Sequence, residues 1–333
     1  MTEPPGPEYV SPEGAPDPDR VVEAVRVLRA GGLVALPTET VYGLAADADN
    51  AAAVTRIFEA KGRPSGHPLI VHLRDAGALG GWATEVPNGA AQLAAAFWPG
   101  PLTVVLPKTA RVLDVVTGGQ PTVGLRVPAH PVALAVLRAF GGGLAAPSAN
   151  RFQGVSPTTA AHVREELGAV VDLILDGGPC AVGVESTIID FSAGLPRLLR
   201  PGGVALEAIE ATLGHAVPIA VGAIRASGEH ALHYAPSARV ELCTGDPGEL
   251  AEALRRRGDR VAVLSLPDDL ASAARELYAQ LRAVTADVVV AELPASSKGL
   301  GLALRDRLVR AAGPRTESLD ANRATGEPAF ALE

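Results

Sequence analysis

From residue 237 onward the chain alternates apolar strands with amphipathic helices: "ARVELC", "GELAEALRRRG", "RVAVLSL", "DLASAARELYAQLRAV", "DVVVAELP" and "GLGLALRDRLVRAAG". Strands separated by helices of this length have to run parallel, and the crossovers are right-handed, because the helix returns the chain to the edge from which each strand began. Residues 237–313 are therefore expected to form a small βαβαβα unit. A chain of 333 residues with 47% hydrophobic content has apolar surface to spare for a second, larger core ahead of it.

That earlier stretch has a different grammar. A helix is expected over about 19–30, where Val21, Val22, Val25 and Leu28 recur at helical spacing before Gly31 and Gly32. The strand "LVALPTE" follows, then a helix capped by Asn50, carrying Val54, Ile57 and Phe58 and ended by Gly62. In the strand "PLIVHL", His72 points away from the Leu69 face. In "PTVGLRVP", Val123, Leu125 and Val127 share one face, and Thr122, Gly124 and Arg126 the other, a candidate ligand floor. The helix "TAAHVREELG", the strand "VDLILDGG" and the pair "ESTIIDF" and "PRLLRPG" complete an α/β or α+β sheet domain. The expected division is a tail over 1–18, a sheet domain over 19–215, a linker over 216–236, the second domain over 237–313 and a tail over 314–333. The linker, "VGAIRASGEHALHYAPSA" at its heart, is long enough to imply a function.

Several function classes drop out. Two cysteines, Cys180 and Cys243, supply neither a disulfide framework nor a four-cysteine zinc site, so a reducing, cytoplasmic setting is expected. The acidic, Pro-rich start does not resemble a secretory signal, and no apolar run is long enough to span a membrane. A formal charge of −8 argues against non-specific nucleic-acid binding through the whole surface. No GxGxxG follows a strand, no GxxxxGK[ST] occurs, and no CxxC or HExxH is present.

Only three of the 29 basic residues are lysines. One of them, Lys61, lies two residues from Arg63 between a helix end and the strand "PLIVHL". The pair reads locally as a complement to the helix C-terminus, with an anion site as the alternative. His72 reads as a partly buried core histidine or as a ligand. Arg126, on a short apolar strand, needs a carboxylate or phosphate partner if it is buried. Ser148 and Asn150 in "APSAN", Ser156 in "VSPT", and Ser186 and Thr187 in "ESTI" are either turn and cap residues or small hydroxyls gathered at strand ends around a ligand.

Seven segments in order resolve these choices: "PTETVYGL", "KGRPSGHPLIVHL", "FWPGPLTVVL", "VGLRVPAHP", "APSANRFQGVSPT", "VESTIIDF" and "LLRPGGV". Together they resemble the YrdC-like family, the threonylcarbamoyl-AMP synthases. With "HYAP" at 233–236 and "GLGLALRDRL", the chain resembles that family's long, two-domain form. The resemblance implies a twisted α/β sheet with a concave basic cavity and a smaller Rossmann-like βαβαβα domain. It implies a nucleotidyltransferase that condenses L-threonine, bicarbonate and ATP to threonylcarbamoyl-AMP and pyrophosphate. Mg²⁺ would be held mainly by the ATP phosphates. A downstream tRNA threonylcarbamoyl transferase machinery would use the product, and contact with tRNA or double-stranded RNA falls within the same picture.

Carried over motif by motif, the resemblance makes Lys61 and Arg63 catalytic. Arg63, His67, Thr122, Ser148, Ser156, Arg200 and Tyr234 would bind ATP. Thr40, His72, Arg126, Ala146 and Ser186 would bind L-threonine. The family more often has Asn at the position of His67, and "ASGEHALHYAP" departs from the family's usual linker, in which Ser-Pro-Gly precedes Met and basic residues. The linker would close over the cavity and exclude water from a hydrolysable adenylate. Two rivals are a non-catalytic RNA- or nucleotide-binding module of the same fold and a hydrogenase-maturation carbamoyltransferase. The acidic charge weakens the first; the second carries cysteine-rich zinc fingers that two cysteines cannot build.

Overall fold

The computed structural model describes residues 16–220 and 233–313. Most of the expected tail over 1–18 and of the linker over 216–236, and the whole tail over 314–333, lie outside the described residues.

The first helix, α1 (Pro18–Arg29), starts on Asp17, whose carboxylate accepts the Asp19 N–H, with Pro18 at the first helical position. Its inner face is Val21, Ala24, Val25 and Leu28. Val22, expected inward, is 68% exposed because Ala24 takes its place on the stripe. The chain continues through β1 (Val34–Leu36), β2 (Gly43–Asp47), α2 (Ala51–Lys61), β3 (Ile70–His72), α3 (Asn88–Phe97), β4 (Leu102–Pro107), α4 (Asp114–Thr117) and β5 (Thr122–Arg126). Next come α5 (Pro131–Phe140), β6 (Leu144–Ala145), α6 (Ala160–Leu167), β7 (Leu173–Ile174), β8 (Thr187–Asp190), β9 (Arg197–Arg200) and α7 (Leu206–Leu213). Asn50 caps α2 through the Ala53 N–H, and Gly62, at φ 61°, closes it in the left-handed conformation.

These nine strands form one mixed sheet in the order β7-β1-β2-β6-β3-β5-β4-β8-β9. Its two faces carry separate cores. Val34 and Leu36 of β1 and Ala45 of β2 pack with α1 and α5, whereas Ala35, Leu44 and Ala46 pack with α2 and the main core. At the centre β3 and β5 run parallel with His72 opposite Arg126, which brings those two side chains together.

The second sheet contains β10 (Arg239–Cys243), β11 (Val261–Leu264) and β12 (Val288–Glu292), joined by α8 (Pro247–Arg256) and α9 (Leu270–Ala283) and followed by α10 (Gly299–Ala312). Its order is β10-β12-β11 and every pairing is parallel, as the alternation of elements implies. Val288 and Val290 face Ala251 and Leu254 of α8; Val289 and Ala291 face α9 and α10. The core on that second side also takes in Val41, Val155, Val184 and Tyr234, so α9 and α10 lie between the small sheet and the large domain. Among the described residues no helix is long and apolar enough to cross a membrane.

Candidate active site

A cavity of about 50 Å³ opens where the ends of β3, β5, β8 and β9 converge with the "PTET" loop and the "APSAN" loop. Among the described residues, three guanidiniums, from Arg63, Arg126 and Arg200, and one carboxylate, from Glu185, line it.

One wall is built within the large sheet. Arg126 is buried, and its Nη2 donates to Glu39 Oε1 at 2.7 Å while its Nε donates to the Gly100 carbonyl at 3.3 Å. The second oxygen of Glu39 accepts the Ala129 N–H at 2.9 Å. The partner that a buried arginine requires is thus internal, and it fixes the guanidinium at the cavity. Thr40, hydrogen bonded to Thr38 at 2.8 Å, His72 and Ala146 line the same region. Burial, and then the neighbouring Arg126, push His72 down to about 3, so its imidazole is neutral near pH 7. Its Nδ1 is buried with no partner among the described residues.

The other wall crosses between domains. Ser186 bonds Thr103 at 2.8 Å, and its carbonyl and hydroxyl both accept from Arg200 Nη2. Glu185 accepts from Ser156 Oγ at 2.6 Å, from Tyr278 of α9 at 2.8 Å and from Arg307 Nε of α10 at 2.7 Å. Despite full burial, the charges of Arg307 and Arg200 hold Glu185 down at about 2. Arg63 donates to the Pro68 carbonyl at 3.1 Å, and burial lowers it to about 10. Tyr234, at φ 61°, is fully buried between His233, the Tyr278 ring and the Arg307 guanidinium. Its hydroxyl has no partner among the described residues.

Of the residues singled out from sequence, Arg63, Ser148, Arg200 and Tyr234 line this cavity together with Thr40, His72, Arg126, Ala146 and Ser186. Lys61, His67, Thr122 and Ser156 do not line it. Lys61 is only 3% exposed, on the inner face of α2, and its amine donates to the carbonyls of Ser148 and Asn150. Burial and the adjacent Arg63 push its ammonium well below the usual lysine range. In this structure it holds the loop that presents Ser148. His67 packs edge-on against Phe152, and Ser156 donates to the cavity-lining Glu185. Thr122 pairs with Pro107 at the far end of β5 from Arg126. A Cβ on Gly124 would meet the Thr103 and Ile70 side chains at ordinary contact distance, and Gly124 does not line the cavity.

Glu39, Thr38, Glu185 and His233 were not singled out from the sequence. Glu39 lies inside "PTET" and Glu185 inside "VESTI", but a glutamate in a short motif carries no mark that distinguishes a ligand-facing carboxylate from one that orients an arginine.

The family described as "Telomere recombination", the Sua5, YciO and YrdC group, matches residues 26–202, and the "Threonylcarbamoyl-AMP synthase, C-terminal domain" family matches residues 204–313. A threonylcarbamoyl-AMP synthase of Pyrococcus abyssi is 43% identical, over 88% of this chain and 94% of that protein. One from Bacillus subtilis is 39% identical, over 92% of this chain and 96% of its own length. The crystal structure of Pyrococcus abyssi Sua5 complexed with L-threonine superposes with a TM-score of 0.85 at 41% identity, covering 89% of this chain and 95% of that one. Relatives this similar over most of both chains are enzymes, which sets aside the reading as a non-catalytic module.

Proposed function

Because the chain belongs to the threonylcarbamoyl-AMP synthase family, an enzyme family of the nucleotidyltransferase type, we propose that it condenses L-threonine, bicarbonate and ATP to threonylcarbamoyl-AMP and pyrophosphate. A tRNA threonylcarbamoyl transferase machinery would consume the product, in the cytoplasm. The observation that carries this reading is the cavity where Arg126, with its orienting Glu39, stands together with Arg63, Arg200 and Tyr234, whose hydroxyl has no partner among the described residues.

The reaction proceeds in two balanced steps. The threonine amine takes up the carbon of bicarbonate with loss of water and forms a carbamate. A carbamate oxygen then attacks the α-phosphorus of ATP, and the bond to the bridging oxygen breaks with its electron pair leaving on pyrophosphate. Little proton chemistry is needed from the protein; positioning and charge neutralisation dominate. Arg126 binds the threonine carboxylate. Neutral His72 offers a ring nitrogen beside it as a hydrogen-bond partner without adding charge. Arg63 and Arg200 neutralise the phosphates, and Tyr234 covers the nucleotide. Lys61 acts through the loop carbonyls it holds, a role in positioning Ser148. Magnesium enters as Mg–ATP, part of the substrate.

The test is release of pyrophosphate with all three substrates and with each omitted in turn. The reading requires release only when all three are present, and release that continued without threonine would overturn it.

A further inference from the structure

The carboxylate of Glu185 faces a cavity that otherwise gathers guanidiniums, an arrangement that opposes anion binding unless the negative charge is cancelled. The groups that cancel it come from the second domain. Arg307 of α10 is fully buried and donates through Nε to Glu185 Oε2, through Nη2 to the Pro201 carbonyl at 3.0 Å, and through Nη1 to Asp306. Tyr278 of α9 donates its hydroxyl to the same Oε2, and Ser156 occupies Oε1. Both oxygens are thus taken, and Arg200 donates to the carbonyl and hydroxyl of Ser186 on the cavity wall. The same two second-domain residues also fix Tyr234: the Tyr278 ring stacks on it at 5.6 Å between centroids, and Arg307 lies 5.0 Å over its face. A third contact steadies the loop carrying Ser156, since Arg282 of α9 donates to the carbonyls of Val155 and Ser156 and to Glu166.

We propose that Arg307 and Tyr278 are positioning residues of the nucleotide subsite: the second domain neutralises and saturates Glu185, which keeps Arg200 turned to the ligand and Tyr234 in place. This assignment rests on the proposed adenylation function, and it gives the small parallel sheet a role at the site that its own strands do not reach. Without Arg307, the buried Glu185 carboxylate becomes an uncompensated charge beside the phosphates and competes with them for Arg200. Arg126 and Glu39, bonded to each other within the large sheet, and His72, opposite Arg126 on the neighbouring strand, keep their arrangement.

The experiment is calorimetric titration of folded protein with Mg–ATP and, separately, with L-threonine. Tyr278→Phe, which removes one hydroxyl, is expected to weaken ATP binding roughly tenfold, the cost of one hydrogen bond to a charged group. Arg307→Met is expected to weaken it by roughly 100-fold, as truncation of one partner in a buried charge pair does. Threonine affinity stays within about twofold of wild type in both, because Arg126 and His72, on the wall within the large sheet, are not touched. Arg307→Lys restores part of the loss, and the double variant Glu185→Gln/Arg307→Met, with both charges gone, binds ATP better than Arg307→Met alone. Equal losses for the two ligands, or unchanged ATP affinity in Tyr278→Phe, overturn the proposal. If Arg307→Met does not fold, Tyr278→Phe and Arg307→Lys decide. Wild-type protein that binds both ligands yet releases no pyrophosphate overturns the proposed reaction, and the variant affinities then decide the two positioning roles on their own; wild type that binds no ATP overturns both.

Discussion

Two buried arginine–glutamate pairs flank the cavity, and they differ in where their partners come from. Arg126 and Glu39 are 87 residues apart, but both belong to the large sheet domain, on β5 and in the loop between β1 and β2. Glu185 and Arg307 are 122 residues apart and belong to different domains. The first pair leaves an arginine at the cavity with a carboxylate behind it. The second leaves a carboxylate at the cavity with an arginine behind it. A self-contained wall keeps its geometry as long as its own sheet is folded, whereas the shared wall depends in addition on how α9 and α10 dock. Gly183 marks that docking: a Cβ there would lie 2.4 Å from the Ala274 carbonyl oxygen and the Arg275 Cα, so only glycine lets α9 approach the loop leading to Glu185.

The largest effect expected on this contrast is at Arg126. Arg126→Ala should lower threonine affinity by roughly 100-fold or more, the scale of truncating one partner of a buried charge pair, while ATP binding is kept. Titration with each ligand checks this, and a matching loss of ATP affinity would show that the two walls are not independent. A smaller effect is expected at Lys61, which belongs to neither pair. Lys61→Met leaves the Ser148 and Asn150 carbonyls without their donor and should destabilise the protein by about 1–3 kcal/mol, measured by denaturant unfolding. It should also reduce turnover through the loop that carries Ser148. If stability stays at the wild-type value, the amine is not the loop's anchor.

The smallest effect separates the walls by pH. His72 is held at about 3 in the folded chain and near 6.5 when unfolded, so only the unfolded state gains a proton as pH falls from 6.5 toward 3. Stability is therefore lost across that window, with a slope of at most about 1.4 kcal/mol per pH unit from this residue. His233, also at about 3, acts in the same window. Glu185, at about 2 against 4.5 for an ordinary glutamate, contributes stability that is present above 4.5 and lost between 4.5 and 2. Unfolding free energies measured at pH 7, 6 and 5 should fall less steeply in His72→Asn than in wild type. An unchanged slope would mean that His72 is not held neutral.

The elements of the second domain are legible in the sequence almost end to end, because short apolar strands alternate there with amphipathic helices, two of which start on capping aspartates: Asp246 before α8 and Asp269 before α9. The large sheet is less so. β2, whose residues Leu44, Ala45 and Ala46 are buried on both faces, has no alternation to read, and the strand expected over "VDLILDGG" shortens to Leu173–Ile174. Arg126 could be found because a guanidinium on an apolar strand is locally costly and so announces a partner. Lys61 is ambiguous for the opposite reason: its position in the last turn of a helix is locally ordinary, and only the fold brings two carbonyls from 87 and 89 residues away to its amine.

The sequence by itself determined the two domain grammars, the family and the arginine at the centre of the larger sheet, since periodicity, capping and ordered motifs are written in neighbouring residues. Only the tertiary structure decided that Glu39 stands behind Arg126 and that Arg307 and Tyr278 stand behind Glu185. Those choices depend on burial and on contacts across 87 to 122 residues, where the energy of a charge is set by what the fold places beside it.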